Sequence, residues 1–101
     1  MLTLKELKED IESKYDIQLH VEPFLYETDC LKGNITSKSI IRLRLGKYVK
    51  EHKNGADYYG VSYDNSQEHC GSSCPCDNLE EVYKFMDKFV KRKSYEEIKL
   101  F

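Results

Sequence analysis

Hydrophobic residues recur at helical spacing near both ends of the chain. Leu4, Leu7 and Ile11 fall on one face of a segment that is otherwise rich in Lys and Glu, which predicts an amphipathic helix over residues 3–14. Near the other end, a broader apolar stripe predicts a second helix over residues 77–93. This stripe consists of Leu79, Val82, Tyr83, Met86, Phe89 and Val90.

Between these segments the hydrophobic period changes to two residues, the spacing typical of strands with one buried face. The alternation predicts three strands, over residues 17–22, 39–50 and 56–64. Residues 29–38 and 65–76 are rich in Gly, Asn, Ser and Cys and are predicted to be connections. We therefore predict an α+β fold in the order α-β-β-β-α, with a three-stranded antiparallel sheet and both helices packed on one face.

Local signals support these boundaries. Thr3 and Glu6 have the spacing of a capping box, which satisfies two backbone donors at the start of a helix. Asp77 and Glu80 repeat that spacing before the second predicted helix. Asn54-Gly55 offers the two positive-φ residues that a tight hairpin requires between the last two predicted strands.

Length and composition predict a single small domain that spans residues 1–101. Charged residues make up 34% and aromatic residues 12% of the chain, so it is polar but too rich in large rings for a disordered protein. No apolar run approaches the roughly 18 residues of a membrane span, and the first residues lack the pattern of a secretory signal. We expect a cytoplasmic protein that has no membrane partner and whose four Cys are reduced.

The net charge of −2 conceals strong segregation of charge along the chain. Residues 32–53 carry seven basic side chains and one acidic one, whereas residues 54–83 carry six acidic and no basic ones. Segregation of this kind can steer a charged partner towards one surface. Alternatively, neighbouring elements neutralise one another once the chain has folded. Both interpretations are open at the level of sequence.

The second predicted strand alternates apolar with basic residues, and Tyr residues lie near it. Tyr and Arg dominate the energetics of protein interfaces, which favours a partner-binding surface here. The expected partner-binding residues are Arg42, Arg44, Lys47, Tyr48 and Tyr58. As an alternative, the basic strand over residues 38–53 could follow the phosphates of a nucleic acid while a Tyr stacks on a base.

The predicted α-β-β-β-α order resembles that of double-stranded-RNA-binding domains. In that family a basic cluster opens the last helix, whereas this chain has Asp77, Glu80 and Glu81 at the corresponding place. The phosphate-clamping mode of those domains is therefore unsupported by the sequence.

The strongest local chemical signal is a group of one His and three Cys within eight residues. Its members are His69, Cys70, Cys74 and Cys76. Thiolate and imidazole suit zinc, and four such ligands would complete a tetrahedral site. The spacing C-x3-C-x-C lacks the paired CxxC knuckles of structural zinc sites, so we expect no cofactor and keep zinc as the alternative. Two other interpretations are a reactive thiol pair at a helix start and small thiols that pack as apolar groups.

No catalytic motif is visible in the sequence. It contains no glycine-rich phosphate loop, no HExxH and no GxSxG. His20 and His52 are isolated, and acidic pairs such as Glu9-Asp10 fall on a helix face that we expect to be exposed. We therefore predict that the protein is not an enzyme.

The segment from Tyr58 to Phe89 combines a strand that ends in aromatic-Gly-x-Ser-Tyr, a Gly/Ser/Cys-Pro-Cys turn and an amphipathic helix. It reads YYGVSYDNSQEHCGSSCPCDNLEEVYKFMDKF. This segment, about a third of the chain, resembles small hypothetical proteins of bacteriophages and mobile elements in low-GC bacteria, a group that includes anti-CRISPR-type inhibitors. The resemblance implies a non-catalytic inhibitor that binds a host protein, such as a defence nuclease or a nucleoprotein complex, and blocks it. It assigns no site residues.

Overall fold

The secondary structure consists of two helices and one antiparallel sheet. The computed structural model describes residues 1–23, 28–47 and 55–93, and within these ranges the sheet has five strands. The elements are α1 (Leu4–Lys14), β1 (His20–Pro23), β2 (Asp29–Asn34), β3 (Ser39–Lys47), β4 (Asp57–Asn65), β5 (Cys70–Cys76) and α2 (Leu79–Phe89). The strands lie side by side in sequence order, so β1 and β5 form the two edges of the sheet.

The α+β class, the antiparallel sheet and both helices are confirmed, but the prediction of three strands is wrong. Residues 29–38 and 65–76, expected to be connections, contain β2 and β5. The sequences of these strands, DCLKGN and CGSSCPC, show no long apolar alternation. Each is paired with a neighbour over several residues. Backbone pairing with an adjacent strand therefore outweighs weak local strand propensity at these two places.

One face of the sheet carries both helices and the hydrophobic core. As predicted, Leu43 of β3 and Val61 of β4 point to this side, where they are partners in register and are buried. Burial of such a side chain contributes roughly 1.5–3 kcal/mol to folding. The helices add Leu7 and Ile11 from α1, and Val82, Phe85 and Met86 from α2, to the same buried cluster.

Both helices are short and capped at their first turn. The predicted capping box of α1 is confirmed: the Glu6 backbone N–H donates to Thr3 Oγ1 at 3.2 Å, and the Thr3 N–H donates to Glu6 Oε1 at 2.9 Å. The cap of α2 is Asn78 rather than Asp77, because Asn78 Oδ1 accepts from the Glu81 N–H at 3.0 Å. In the part of the chain that the structure describes, no helix combines the length and apolarity of a membrane span.

A polar network joins the end of α1 to the end of α2. The buried Tyr15 hydroxyl donates to Asp87 Oδ1 at 2.8 Å and to the Tyr83 carbonyl oxygen at 3.1 Å. Arg92 donates to both carboxylate oxygens of Asp87, at 2.7 and 3.0 Å. We call these four residues the helix-end network. The hydrogen bonds to the Asp87 carboxylate are charge-assisted, the type that contributes most per bond.

Candidate partner-binding surface

The other face of the sheet carries no described helix, and we call it the open face. The alternation of β3 and β4 that buries Leu43 and Val61 directs the intervening side chains to this side. Three pairs of cross-strand partners lie there: Arg42 with Ser62, Arg44 with Gly60, and Gly46 with Tyr58. Ser73 and Pro75 of β5 continue the first two rows, because Ser62 pairs with Ser73 and Gly60 pairs with Pro75.

Arg44 and Tyr58 form a stacked pair on the open face. Arg44 Nη2 donates to the Tyr58 hydroxyl oxygen at 3.1 Å, and its guanidinium carbon lies 5.5 Å from the centroid of the ring. A cation held over an aromatic ring in this way gains about 0.5–1 kcal/mol at an exposed site. Both side chains are half-buried. The pair therefore joins β3 and β4 through their side chains as well as their backbones.

Two glycines leave the space that the Arg44 and Tyr58 side chains occupy. A Cβ atom added at Gly46 would lie 2.5 Å from Tyr58 Cζ, and one added at Gly60 would lie 3.1 Å from Arg44 Cγ. Each large side chain thus occupies the space above the glycine that is its cross-strand partner. A glycine inside a strand is typical of such a close approach. The arrangement limits the freedom of both side chains before any partner binds.

A cavity of about 290 Å³ lies beside the Arg44–Tyr58 pair. Its lining combines small residues of β4 and β5 with the larger side chains of Arg42 and Arg44 from β3 and of Tyr58 from β4. The lining residues include Arg42, Arg44, Tyr58, Gly60, Ser62 and Ser73. The surface therefore offers a recess next to a fixed cation and an aromatic ring.

Carboxylates lie among the basic side chains of β3. Arg42 Nε lies 3.6 Å from Glu22 Oε1, and Arg42 Nη1 lies 3.4 Å from Asp64 Oδ2. Lys47 Nζ lies 3.8 Å from Asp57 Oδ1. These contacts join the basic segment to the acidic segments on either side of it. Arg42 and Lys47 are thus paired with carboxylates. For these two residues, the contacts favour the interpretation that neighbouring elements neutralise one another.

The structure brings three of the five expected partner-binding residues together. Arg42, Arg44 and Tyr58 line the same cavity, as the alternation of apolar and basic residues predicted. The prediction for Lys47 is wrong in its face: the side chain, 77% exposed at the end of β3, follows the alternation of Leu43 and Leu45 and lies beside Met1 and Leu2. Tyr48 lies outside the described residues. Sequence reasoning gave no role in this surface to Gly46 and Gly60, although glycine within a strand is a signal that could have found them.

The structure does not bring the four candidate zinc ligands together. His69 lies in the turn before β5, where it has a φ of 53°, and the three Cys lie along β5 itself. An extended strand separates Cys70 from Cys76 by roughly 20 Å, whereas Zn–S bonds are about 2.3 Å long. Within residues 1–23, 28–47 and 55–93, no group of three or more His, Cys, Asp or Glu could hold a metal ion. The four residues of the zinc alternative therefore do not form one site, because the Cys residues lie along a strand and not in a loop.

Burial sets the chemistry of the thiols. Burial, the neighbouring Cys74 and the Glu81 carboxylate together raise the pKa of Cys76 to about 12, and burial has the largest effect. Burial also raises the pKa of Cys30, as does the Glu22 carboxylate. Both thiols are therefore protonated near neutral pH, which removes the nucleophilic thiolate from these two positions. Packing as small apolar groups is the interpretation that fits them.

Comparisons with protein-family models, with curated proteins and with solved structures find no match to this chain. The resemblance to phage inhibitors therefore stays a prediction. Support for a function comes from the geometry of the open face, where a preorganised Arg–Tyr pair borders a cavity.

Proposed function

We propose that the chain is a non-catalytic protein-interaction module, and that it acts as an anti-CRISPR-type inhibitor that binds a host defence nuclease and blocks it. The open face is its contact surface. The observation that carries this proposal is the Arg44–Tyr58 pair, held across Gly46 and Gly60 beside a cavity. Arg and Tyr are enriched among the residues that carry most of the energy of protein interfaces.

Preorganisation favours binding through this pair. Ordering a flexible side chain at an interface costs about 0.5–1.5 kcal/mol. Arg44 and Tyr58 are already restrained by their mutual contact and by the neighbouring strand, so less of that cost falls on association. The adjoining cavity, lined in part by Ser62 and Ser73, can accept an anchoring side chain of the partner.

The charges of the open face favour a protein partner over a nucleic acid. Glu22 and Asp64 flank Arg42. A phosphate backbone that followed β3 would approach these carboxylates and displace their ion pairs. A protein surface can match alternating charges, whereas a nucleic acid presents one sign only.

The proposal is tested by partner capture and by inhibition. The tagged chain is used to capture proteins from its native host, the captured protein is identified by mass spectrometry, and its affinity is measured with purified components. Changing Arg42 and Arg44 together to Ala should weaken binding at least tenfold, which is about 1.4 kcal/mol, with little change in melting temperature. Addition of the chain should also inhibit the partner's nuclease activity at a one-to-one ratio.

The matched control removes two cations from the other side of the molecule. Lys84 and Lys88 are exposed on α2, and changing both to Ala should leave affinity and inhibition unchanged. Undiminished binding by the Arg42→Ala/Arg44→Ala variant would show that the open face is not the contact surface. A partner whose activity is unaffected by saturating amounts of the chain would refute the inhibitor role.

A further inference from the structure

The outer side of β5 has the features of an accessible sheet edge. In the described residues β5 pairs with β4 alone, and six of its seven residues are exposed. In an antiparallel pair, every second residue directs its backbone N–H and C=O groups away from its neighbour. Across the part of the chain that the structure describes, no backbone hydrogen bond reaches β5 from that side. None of the described strands occupies these groups, so a further strand can pair with them.

The two edges of the sheet differ in their protection. Natural sheets blunt unused edges with short strands, charged side chains, prolines or bulges. β1 has four residues, two of which are Glu22 and Pro23. β5 has seven residues, carries no charged side chain, and pairs with β4 in continuous register from Cys70 to Cys76. Pro75, near the end of β5, is its one residue without a backbone donor.

We propose that β5 binds an extended basic segment of a partner protein as a sixth strand of the sheet. In this mode the main-chain hydrogen bonds supply much of the affinity. The sign of the charge follows from the ends of β5, where Glu68 lies at one end and Glu80 at the other, both of them exposed. Residues 54–83 contain no Lys or Arg. A strand with basic residues at both ends therefore complements this edge.

The same charges disfavour a second copy of the chain as the occupant. Two β5 strands paired antiparallel about Ser73 would place residue 68 of one copy opposite residue 78 of the other. Glu68 of each copy would then approach Asp77 and Glu80 of the other copy. Like charges across neighbouring strands are destabilising, so this geometry favours a partner of opposite charge.

The inference goes beyond the proposed function, because β5 offers its backbone edge whereas the proposed contact surface uses the side chains of β3 and β4.

The probe is a labelled peptide, Lys-Thr-Val-Thr-Val-Thr-Lys, compared with its analogue in which Glu replaces both Lys. Fluorescence anisotropy should show at least tenfold tighter binding of the basic peptide at low salt. Hydrogen exchange should show new protection of amides between residues 70 and 76.

Two variants locate the site and keep the fold intact. Changing Glu68 and Glu80 together to Lys reverses the charge at both ends of β5 and should weaken binding of the basic peptide at least tenfold. Changing Glu9 to Lys, on the exposed side of α1, should leave binding unchanged. The Arg42→Ala/Arg44→Ala variant should also bind the peptide normally, which separates this test from that of the proposed function.

Several results would overturn the inference. Equal affinity for the two peptides would remove the charge argument, and protection confined to residues 20–23 would assign the peptide to the other edge. Sedimentation of the free chain as a dimer that is dissociated by Ser72→Lys would show that a second copy occupies β5. An absence of binding at millimolar peptide would show that this edge does not accept a basic strand.

Discussion

The face of the sheet that carries the helices, which we call the covered face, and the open face each contain an Arg stacked on a Tyr. The two pairs differ in their surroundings. On the helix side, the Arg92 guanidinium carbon lies 5.2 Å from the Tyr15 ring centroid, and both side chains hydrogen bond to Asp87. On the open face, Arg44 lies 5.5 Å from the Tyr58 ring centroid, and the pair borders a cavity. The distance from the guanidinium carbon to the ring centroid is nearly the same in the two places.

The two pairs differ in the burial of the Tyr side chain and in the hydrogen bonds of its hydroxyl. Tyr15 is 0% exposed, and its hydroxyl is satisfied within the helix-end network. Tyr58 is half-buried at the surface. The same residue types therefore stabilise the fold on one side and present a restrained surface on the other. Residue type alone does not determine the role of such a pair, whereas its burial does.

The largest expected effect comes from two neighbouring residues of β3 that point to opposite faces. Leu43 is 0% exposed in the core, so Leu43→Ala should lower the free energy of unfolding by about 2–5 kcal/mol through lost burial and a cavity. Arg44→Ala should lower it by about 1 kcal/mol or less. Urea unfolding measures both values, and similar losses for the two variants would contradict the division of roles between the faces.

The second prediction compares the two tyrosine hydroxyls. Tyr15→Phe removes a buried donor to Asp87 and to the Tyr83 carbonyl, which should lower the free energy of unfolding by about 1–2 kcal/mol. Tyr58→Phe removes the hydrogen bond from Arg44 at the surface but keeps the ring, and should change stability by about 0.5 kcal/mol or less. Thermal unfolding followed by circular dichroism distinguishes them. A Tyr58→Phe variant as unstable as Tyr15→Phe would show that the open-face pair is primarily structural.

The strands that could be predicted are those with one strongly apolar face. Ile41 and Leu43 alternate with Arg42 and Arg44, and this pattern alone placed the two sets on the correct faces. It therefore also located most of the candidate surface. β2 and β5 lack such alternation, and they form strands because each pairs with a neighbouring strand in a hairpin. Contacts of that kind leave little trace in local composition.

One part of the candidate surface depends on a contact between residues that are distant in the sequence. The ion pair between Arg42 and Glu22 joins β3 to β1, which is two strands away in the sheet, and nothing in the local sequence specifies it. The His/Cys group shows the opposite error. His69 and Cys76 are close in sequence, but the extended backbone between them keeps them apart.

The third prediction tests whether Gly46 is required to accommodate Tyr58. Gly46→Ala places a Cβ atom against the Tyr58 ring, so it should lower the free energy of unfolding by about 1 kcal/mol. In the Tyr58→Ala background the same change should cost much less, with a coupling energy of at least about 0.5 kcal/mol in a double-mutant cycle. Urea unfolding of the four proteins supplies the cycle. Additive losses would mean that the glycine and the ring do not share this space.

The smallest expected effect is a pH dependence of stability that comes from Asp87, on the face of the sheet that carries the helices. The hydrogen bond from Arg92 holds the pKa of Asp87 below its usual range; burial opposes this effect and the Tyr15 hydroxyl adds to it. Because the pKa is lower in the folded state, the resulting stability is fully present above about pH 4, the pKa of an unfolded Asp, and is lost as the pH falls through the folded value.

Asp87→Asn should therefore destabilise the protein at pH 6, and the difference from the wild type should shrink as the pH falls towards 3. The effect is small because the Asp87 side chain is 44% exposed and solvent screens its ion pair. Arg92→Ala should also reduce the pH dependence of the unfolding free energy, because it removes the hydrogen bond that is the main cause of the lowered pKa of Asp87. Unfolding free energies measured between pH 3 and 6 test this. A constant difference between the wild type and Asp87→Asn across that range would show that this carboxylate is not stabilised by the helix-end network.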